Sequence, residues 1–429
     1  MIQSFFKLSE HGTTVRTELI AGATTFLAMS YIIFVNPQIL AAAGMDRDAV
    51  FVATCLASVF GSLVMGLYAN YPIAVAPGMG LNAYFAYTVV GTLGYRWEVA
   101  LGAVFISGVL FLAVSVLPIR EWIINAIPRS QKMAVAAGIG FLLGIIALEN
   151  AGAVVAHPAT LVTVGELTSP STMLAGLGFV IIVALDYRKI PGAIIIGILA
   201  VTGLGMAFGI AEPQGVAALP PSLAPTFLAL DIVGGFEIGL LTIIFTFLLL
   251  DIFDSVGTLI GVVQRTGMLD AQGRPPRLRK ALIADSTASM VGALLGTSTT
   301  TAYIESAAGV RAGGRTGLTA VVVAALFLLA LFLAPLAGSV PGFATAPAIL
   351  FVACVMARAI TDIDWEDVTE FAPAVVTALA MPLTFSISTG IGLGFIAYVA
   401  IKLLSGHFRE ASPAMIVLAL VFVAKFALS

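Results

Sequence analysis

Apolar runs of about 20 residues follow one another along almost the whole chain, for example at 49–68, 99–117 and 318–336. A helix of about 20 apolar residues crosses the hydrocarbon core of a bilayer. Membrane-spanning β-strands alternate polar and apolar residues, and these runs do not. The pattern therefore predicts an all-α polytopic membrane protein. The helices are predicted at about 18–38, 49–69, 72–93, 97–118, 130–149, 171–187, 191–210, 237–261, 280–296, 298–312, 316–336, 345–360, 366–383 and 386–405.

The composition agrees with a chain that is surrounded by lipid. Of its 429 residues, 60% are hydrophobic and 10% are charged, whereas soluble domains carry roughly 25% charged residues. The net charge of −3 offers no basic surface for nucleic acid. Two cysteines and three histidines, none of the histidines deep in an apolar run, supply no set of metal ligands. We expect no metal, no cofactor and no nucleic-acid partner, and no nucleophile–base pair suggests an enzyme.

Lysine and arginine predict the orientation. With the N-terminus inside, Arg47 and Arg96 fall in outward loops and seventeen others fall in cytoplasmic loops. Such an excess is typical of the cytoplasmic side. Residues 1–18 are polar and lack the apolar stretch of a cleavable signal peptide. We therefore expect a multi-pass protein of the cell inner membrane with a cytoplasmic N-terminus. The apolar run 414–428 could cross the membrane, re-enter it or lie against the bundle.

Two predicted segments carry residues that interrupt a helix. Residues 71–85 contain two prolines and two glycines within a few positions, and 297–301 is an unbroken run of serine and threonine. Non-helical backbone at membrane depth survives only where protein buries it or where it lines a wet cavity. Each interruption falls in the third helix of a set of seven. Paired interruptions of this kind indicate an inverted repeat and a transporter binding site.

Three carboxylates lie inside apolar runs, which is costly and usually functional. Asp251 and Asp254 share a helix three residues apart, and Glu305 follows the serine/threonine run. Like charges so close disfavour joint ionisation, so these groups are candidates for proton coupling. Asp251 is equally well explained by a structural role. Asn82, after the first interruption, could bind a ligand or cap a half-helix.

Other acidic residues have simpler explanations. Glu149, Glu237 and Asp285 lie near predicted helix ends and are expected at the membrane interface. The acidic residues of 362–367 are expected to form a solvated turn and a helix N-cap.

Several motifs resemble those of the nucleobase:cation symporter-2 superfamily. They are APGMGLNAYF at 76–85, DIFDSVGT at 251–258 and TAYIESAAGV at 301–310, supported by 127–144 and 380–398. Within the superfamily they resemble the AzgA-like branch of adenine/guanine/hypoxanthine permeases. The uracil and xanthine branches carry Glu where this chain has Asp254, and often a nearby His that is missing here. This departure leaves the proton-carrying residue open.

The resemblance implies about fourteen segments in two inverted seven-helix repeats, with short strands in segments 3 and 10. It implies a core domain at 17–118 and 236–340 and a gate domain at 119–235 and 341–429, after a cytoplasmic N-terminus at 1–16. Gate domains of the family often form a homodimer.

The resemblance also implies a site for a purine ring. Asp254 and Glu305 are expected to hydrogen-bond the ring, Asn82 to complete the site, and Tyr303-Ile304-Glu305 to present backbone amides. Phe253 and Tyr31, among other aromatic residues, are candidates for stacking. Asp254, Glu305 and Asp251 are the proton-coupling candidates.

We therefore predict import of a purine base by proton symport, with the core moving against the gate. The alternatives are an anion transporter or channel of the same fold, of the sulfate or bicarbonate type, and a uracil or xanthine permease.

Overall fold

A computed structural model describes residues 2–117, 127–234, 238–264 and 276–428. Within these ranges nine helices are long and apolar enough to cross a membrane. They are Val15–Ala41, Arg47–Ala69, Trp97–Val116, Arg129–Asn150, Pro170–Tyr187, Leu240–Val263, Gly317–Ser339, Gly342–Asp362 and Ile387–Leu404. Three shorter apolar helices add to them, so the predicted helical, polytopic fold is confirmed. The count of fourteen segments stays a prediction.

The elements run in the following order along the chain. The helices are α1 (Ile2–Phe5), α2 (Val15–Met29), α3 (Ile32–Ala41), α4 (Arg47–Val64), α5 (Met79–Ala83), α6 (Trp97–Val116), α7 (Arg129–Asn150), α8 (Pro170–Tyr187), α9 (Ala193–Ala207), α10 (Ile238–Gln264), α11 (Leu278–Leu295), α12 (Ser306–Arg311), α13 (Gly317–Ala330), α14 (Ala334–Ser339), α15 (Gly342–Ala357), α16 (Val368–Thr384), α17 (Ile387–Leu404) and α18 (Pro413–Leu428). The strands are β1 (Val75–Pro77), β2 (Val154–His157), β3 (Leu161–Val164) and β4 (Thr300–Ala302). Helices α4 and α5 continue as π-helical turns, Met65–Ala69 and Tyr84–Thr92.

Most predicted helices match observed ones, and the exceptions have physical causes. The helix predicted at 18–38 is split between α2 and α3, because Ile33 N donates to Ser30 O and Phe34 N to Tyr31 O, which tightens one turn. The helix predicted at 72–93 becomes β1, α5 and a π-helical turn. The predicted helix start at Glu237, the helix end at residue 118 and the domain boundaries 118/119 and 235/236 lie outside the described residues.

One local structure occurs twice. In the first half a helix ends at Asn70 in the left-handed region, φ 52°, and the chain then extends into β1 and turns into α5. In the second half α11 ends at Gly296, φ 95°, and the chain extends into β4 and turns into α12. The strands pair antiparallel about Ala76 and Thr301, so that Val75 faces Ala302 and Pro77 faces Thr300. This pairing is symmetric, as an inverted repeat requires, and the strands predicted in segments 3 and 10 are confirmed.

The extended backbone at the crossing has its polar groups satisfied by side chains. Ser62 Oγ donates to Val75 O at 3.2 Å and accepts from Val75 N at 3.0 Å, and Ala74 N donates to Ser306 Oγ at 3.0 Å. These residues are fully buried. Buried backbone groups need such partners away from water. Ser62 and Ser306, which lie outside the run 297–301, therefore support the irregular backbone next to the crossing.

The helices pack in two groups. Helices α2–α6 pack mainly with α10–α14, and α7–α9 pack mainly with α15–α18. Within the first group, α13 lies against α4 where a Cβ on Gly317 would stand 1.9 Å from Gly66 O. Only glycine permits this close approach. Each group thus forms its own packed unit, and the strand crossing lies in the first.

The run 414–428 forms α18, which packs along α17. Lys425, near its end, contacts Ser388 at the start of α17. The two helices are therefore antiparallel over most of their length. At about 1.5 Å per residue, the 16 residues of α18 extend about 24 Å.

The last residue of the acidic turn before α16, Asp367, forms the helix N-cap that the sequence predicts. Asp367 is the N-cap of α16 and accepts from Thr369 N at 2.8 Å. The hydrogen bonds from Thr369 lower the pKa of Asp367, and nearby Lys402 adds to the effect. Glu370, in the first turn of α16, accepts from Tyr398 Oη at 3.2 Å and also from Ser130 of α7.

Lys402 of α17 forms the ion pairs that join the second helix group near the start of α16. Its side chain is fully buried, and its ammonium lies 2.7 Å from Glu370 and 2.5 Å from Glu410. It therefore connects α16, α17 and the turn before α18. A buried charge is stable only when it is paired, so this lysine and its carboxylates depend on each other.

We expect Lys402→Met to destabilise the protein by about 3 kcal/mol, because it leaves Glu370 and Glu410 without their cation. Both carboxylates are partly exposed, so water limits the loss. Thermal unfolding of the detergent-purified protein measures the effect. Lys189→Met, at an exposed lysine, is the matched control. Equal unfolding midpoints for the two variants would contradict the role of Lys402.

Candidate functional site

The strand crossing brings Glu305 together with Tyr31. Glu305 directly precedes α12, and Tyr31 lies at the tightened turn between α2 and α3. Tyr31 Oη donates to Glu305 Oε1 at 2.7 Å. The tyrosine is buried whereas Glu305 is partly accessible. The hydroxyl thus holds one carboxylate oxygen, and no second side chain in the described ranges bonds Glu305, so its other oxygen can accept from a ligand.

Asp254 approaches the same place from α10. It lies within electrostatic range of Glu305, Tyr31 and Tyr303. Its side chain is exposed, and it makes no hydrogen bond to any residue in the described ranges. One turn further, a Cβ on Gly257 would meet no atom within 4 Å. This face of α10 therefore opens into accessible space, and Asp254 presents an unused acceptor there.

The other residues predicted at the site have distinct environments. Tyr303 uses its hydroxyl to bond Pro77 O at 2.5 Å and its N–H to bond Ala74 O at 2.9 Å, so it fastens β4 to the β1 segment. The Ile304 side chain is 51% exposed beside Glu305. The Phe253 ring lies 5.8 Å from the ammonium of Lys132, which belongs to α7 in the other helix group. Ile304 is exposed and Phe253 is partly exposed, so both can lie next to a ligand. Tyr303 is buried and holds the two strands together.

Asn82 is connected to a buried amide network. Its Nδ2 donates to Asn36 Oδ1 at 2.5 Å, and Asn36 Nδ2 lies 2.8 Å from Thr54 Oγ1 and 2.9 Å from Thr297 Oγ1. Asn82 Oδ1 has no hydrogen-bond partner among the described residues. Asn82 therefore helps to join α3, α4, α5 and the start of the second interruption. Asn36 was missed by sequence reasoning, although it is a lone amide in the apolar run before Pro37.

Asp285 corrects an expectation. It was expected at the membrane interface, but it is fully buried, because α11 begins at Leu278 and Asp285 lies two turns inside. Ser255 of α10 donates to it, and Ser255 Oγ also lies 3.0 Å from Thr301 Oγ1. Asp285 thus connects α11, α10 and β4 behind the site.

Asp251 lies on the same buried side. Ser289 Oγ lies 2.9 Å from Asp251 Oδ2 and 2.8 Å from Thr300 O. A hydroxyl has one proton, so it donates to only one of these acceptors. If it donates to Thr300 O, the contact with Asp251 needs a protonated carboxyl group. Asp251 therefore faces protein rather than the open space, and its contact with Ser289 connects α10 to α11.

The sequence match identifies the family. The chain matches the model of a family described as a permease family over residues 16–393. The chain belongs to the nucleobase:cation symporter-2 family. The resemblance inferred from its motifs is thereby confirmed, and it is a membrane transporter.

Its relatives in that family include named permeases. The chain is 50% identical to the adenine permease AdeP of Escherichia coli K12, over 99% of this chain and 96% of AdeP. It is 45% identical to the guanine/hypoxanthine permease PbuO of Bacillus subtilis 168, over 97% of this chain and 98% of PbuO.

Solved structures show the same fold at low identity. The transmembrane domain of the cyanobacterial bicarbonate transporter BicA superposes with a TM-score of 0.65 at 16% identity, over 88% of this chain and 97% of that domain. SLC26A9 superposes with a TM-score of 0.63 at 11% identity, over 94% of this chain and 68% of that chain. At such identities the likeness concerns the fold alone.

Proposed function

We propose that this permease imports purine nucleobases across the cell inner membrane by proton symport. The observation that carries the proposal is the pair of carboxylates at the strand crossing: Glu305 is held by Tyr31, and Asp254 bonds none of the residues that the structure describes. Relatives named as adenine and as guanine/hypoxanthine permeases support the purine class.

The chemistry of the site favours a neutral ring with N–H groups. A purine carries N–H donors on its rim, and each carboxylate is an acceptor for them. Asp254 and Glu305 would orient the ring, with Ile304 and Phe253 beside its plane and Tyr31 acting through Glu305. Asn82 would act through the amide network. Sulfate or bicarbonate would meet negative charge here, which disfavours the anion alternative.

We further propose that the two helix groups are a core domain (17–118 and 236–340) and a gate domain (119–235 and 341–429). Their separate packing supports this division. The core would carry the site past the gate, with a proton on Asp254, Glu305 or Asp251 lowering the cost of exposing charge to an apolar barrier. The N-terminus would be cytoplasmic, and the gate domain would carry any homodimer contact.

Uptake by the purified protein in proteoliposomes tests the function. With an inward proton gradient, labelled adenine or hypoxanthine should accumulate, a protonophore should abolish accumulation, and unlabelled adenine, guanine and hypoxanthine should compete. Sulfate, bicarbonate, uracil and xanthine serve as competitors for the alternatives. Accumulation of labelled sulfate without purine uptake would establish the anion alternative and contradict the proposal.

We expect Tyr31→Phe to lower the apparent affinity for the purine by roughly 2- to 10-fold, because it removes one hydrogen bond to Glu305 worth about 0.5–1.5 kcal/mol. The maximal rate should change less, since both carboxylates remain. The concentration dependence of uptake measures both. Tyr187→Phe, at a tyrosine that is 87% exposed, is the control. An unchanged affinity in Tyr31→Phe would show that the hydroxyl does not position Glu305.

A further inference from the structure

Lys425 is a cation on an otherwise apolar helix at the end of the chain. It is partly buried, and its ammonium donates to Ser388 Oγ at 2.8 Å. The same ammonium lies 5.9 Å from the centre of the Phe422 ring. A cation inside a membrane helix is costly and usually serves a specific partner. Here that partner is a hydroxyl of the neighbouring helix.

Ser388 stands where the two helix groups meet. It is fully buried, and Thr246 Oγ1 of α10 lies 3.4 Å from its hydroxyl. Thr246 and Ser388 are also the polar neighbours of Tyr84 Oη. That hydroxyl is buried and has no hydrogen-bond partner within the part of the chain that the structure describes. Lys425 and Ser388 belong to the second helix group, and Thr246 and Tyr84 belong to the first.

A second polar contact joins the groups nearby. Thr88, one turn after Tyr84, donates to Phe385 O at 2.8 Å. Phe385 has φ 48°, so the chain turns sharply there and presents its carbonyl to Thr88. The start of α17 therefore makes two polar contacts with the first helix group, at Phe385 and at Ser388. Lys425 donates to Ser388, the residue that makes the second contact.

The directions of the hydrogen bonds follow from the atoms. An ammonium only donates, so Ser388 accepts from Lys425 and its own proton is free to point elsewhere. Thr246 donates to Thr242 O at 2.7 Å, which leaves its oxygen as an acceptor. Ser388 can therefore donate to Thr246 or to Tyr84. A donor whose oxygen already accepts from a cation is strengthened by that bond.

We propose that Lys425 is a positioning residue for transport: it holds the Ser388 hydroxyl against Thr246 and Tyr84 and so stabilises one arrangement of the two helix groups. The inference rests on the proposed function, because it assumes that the groups change their arrangement during transport. It assigns a role to the C-terminal helix, which takes no part in the carboxylate site. Loss of Lys425 lowers the population of this arrangement and slows the cycle without altering the site.

The test is labelled purine uptake in proteoliposomes by Lys425→Met, Ser388→Ala, the double variant and Lys425→Arg. We expect each of the first three to lower the maximal rate at least 3-fold while the half-saturating concentration stays within 2-fold of wild type. The double variant should be no slower than the slower single variant, because Lys425 acts through Ser388. Lys425→Arg keeps a cationic donor and should retain at least half of the wild-type rate. Lys189→Met, at an exposed lysine on the loop after α8, is the matched control.

The outcomes separate this inference from the proposed function. If the wild-type protein takes up no purine, the proposed function fails. If it does and Lys425→Met is as fast as wild type or faster, the positioning role is wrong. A purely structural role would lower the unfolding midpoint of Lys425→Met and slow the double variant by the product of the single effects, and either result would overturn the proposal.

Discussion

Glu305→Gln should abolish saturable purine uptake, with a loss of at least about 100-fold. The substitution keeps the size of the side chain and its hydrogen bond from Tyr31, since the amide oxygen still accepts. The second carboxylate oxygen is replaced by an NH₂ group. This group and the N–H of the ring are both hydrogen-bond donors, so they cannot bond each other. A hydrogen bond to a charged group contributes about 1.5–3 kcal/mol, and an opposed donor adds a desolvation cost. Initial rates of labelled adenine and hypoxanthine uptake measure the effect.

The control for this substitution is Glu166→Gln, at an exposed glutamate in the connection between α7 and α8. It makes the same chemical change away from the crossing and should transport as wild type does. The amount of Glu305→Gln protein in the membrane should also equal that of wild type. Saturable uptake with wild-type affinity in Glu305→Gln would remove Glu305 from the site.

Asp254→Asn should also cause a large loss, roughly 10- to 100-fold in the ratio of maximal rate to half-saturating concentration. Because Asp254 bonds no described residue, the substitution breaks no contact that holds the fold. The unfolding midpoint should therefore stay at the wild-type value while uptake is lost. Loss of transport with an unchanged unfolding midpoint would indicate that Asp254 binds the substrate and does not stabilise the fold.

Asp251→Asn is the matched comparison, because it makes the same change one turn away on α10. Asp251 is buried and bonded to Ser289, and an asparagine keeps an oxygen for that contact. If its role is structural, uptake should fall less than about 5-fold. A larger loss in Asp251→Asn than in Asp254→Asn would transfer the central role to the buried carboxylate.

The sequence predicts much of this fold because hydrophobic length and interruption are local properties. The runs specify the membrane helices, and the prolines and glycines of 71–85 with the hydroxyls of 297–301 indicate where helices fail. The antiparallel pairing of β1 with β4 joins residues more than 200 positions apart. Sequence alone did not give this register; the resemblance implied only that strands would be present.

The missed residues share one physical cause. Asn36 and Asp285 gain their importance from partners on other segments, Asn36 from Asn82 and Thr297, and Asp285 from Ser255. Asp285 was assigned to an interface because it lies near a predicted helix end, whereas the packing of α11 inside the first helix group, mainly against α6 and α4, buries it. Conversely, Tyr303 was expected to present its backbone amide to the ring, but that N–H donates to Ala74 O and its hydroxyl donates to Pro77 O. Residue type predicts which side chains are costly to bury, and only packing shows what each one bonds.

Equilibrium binding of labelled adenine and hypoxanthine to purified protein in lipid nanodiscs tests the carboxylate site most directly, because it needs neither a gradient nor movement of the domains. We expect saturable binding to wild type that unlabelled purine displaces and sulfate does not. Asp254→Asn and Glu305→Gln should each lose it, while Glu166→Gln keeps it. Wild-type affinity for purine in both carboxylate variants would contradict a purine site between Asp254 and Glu305.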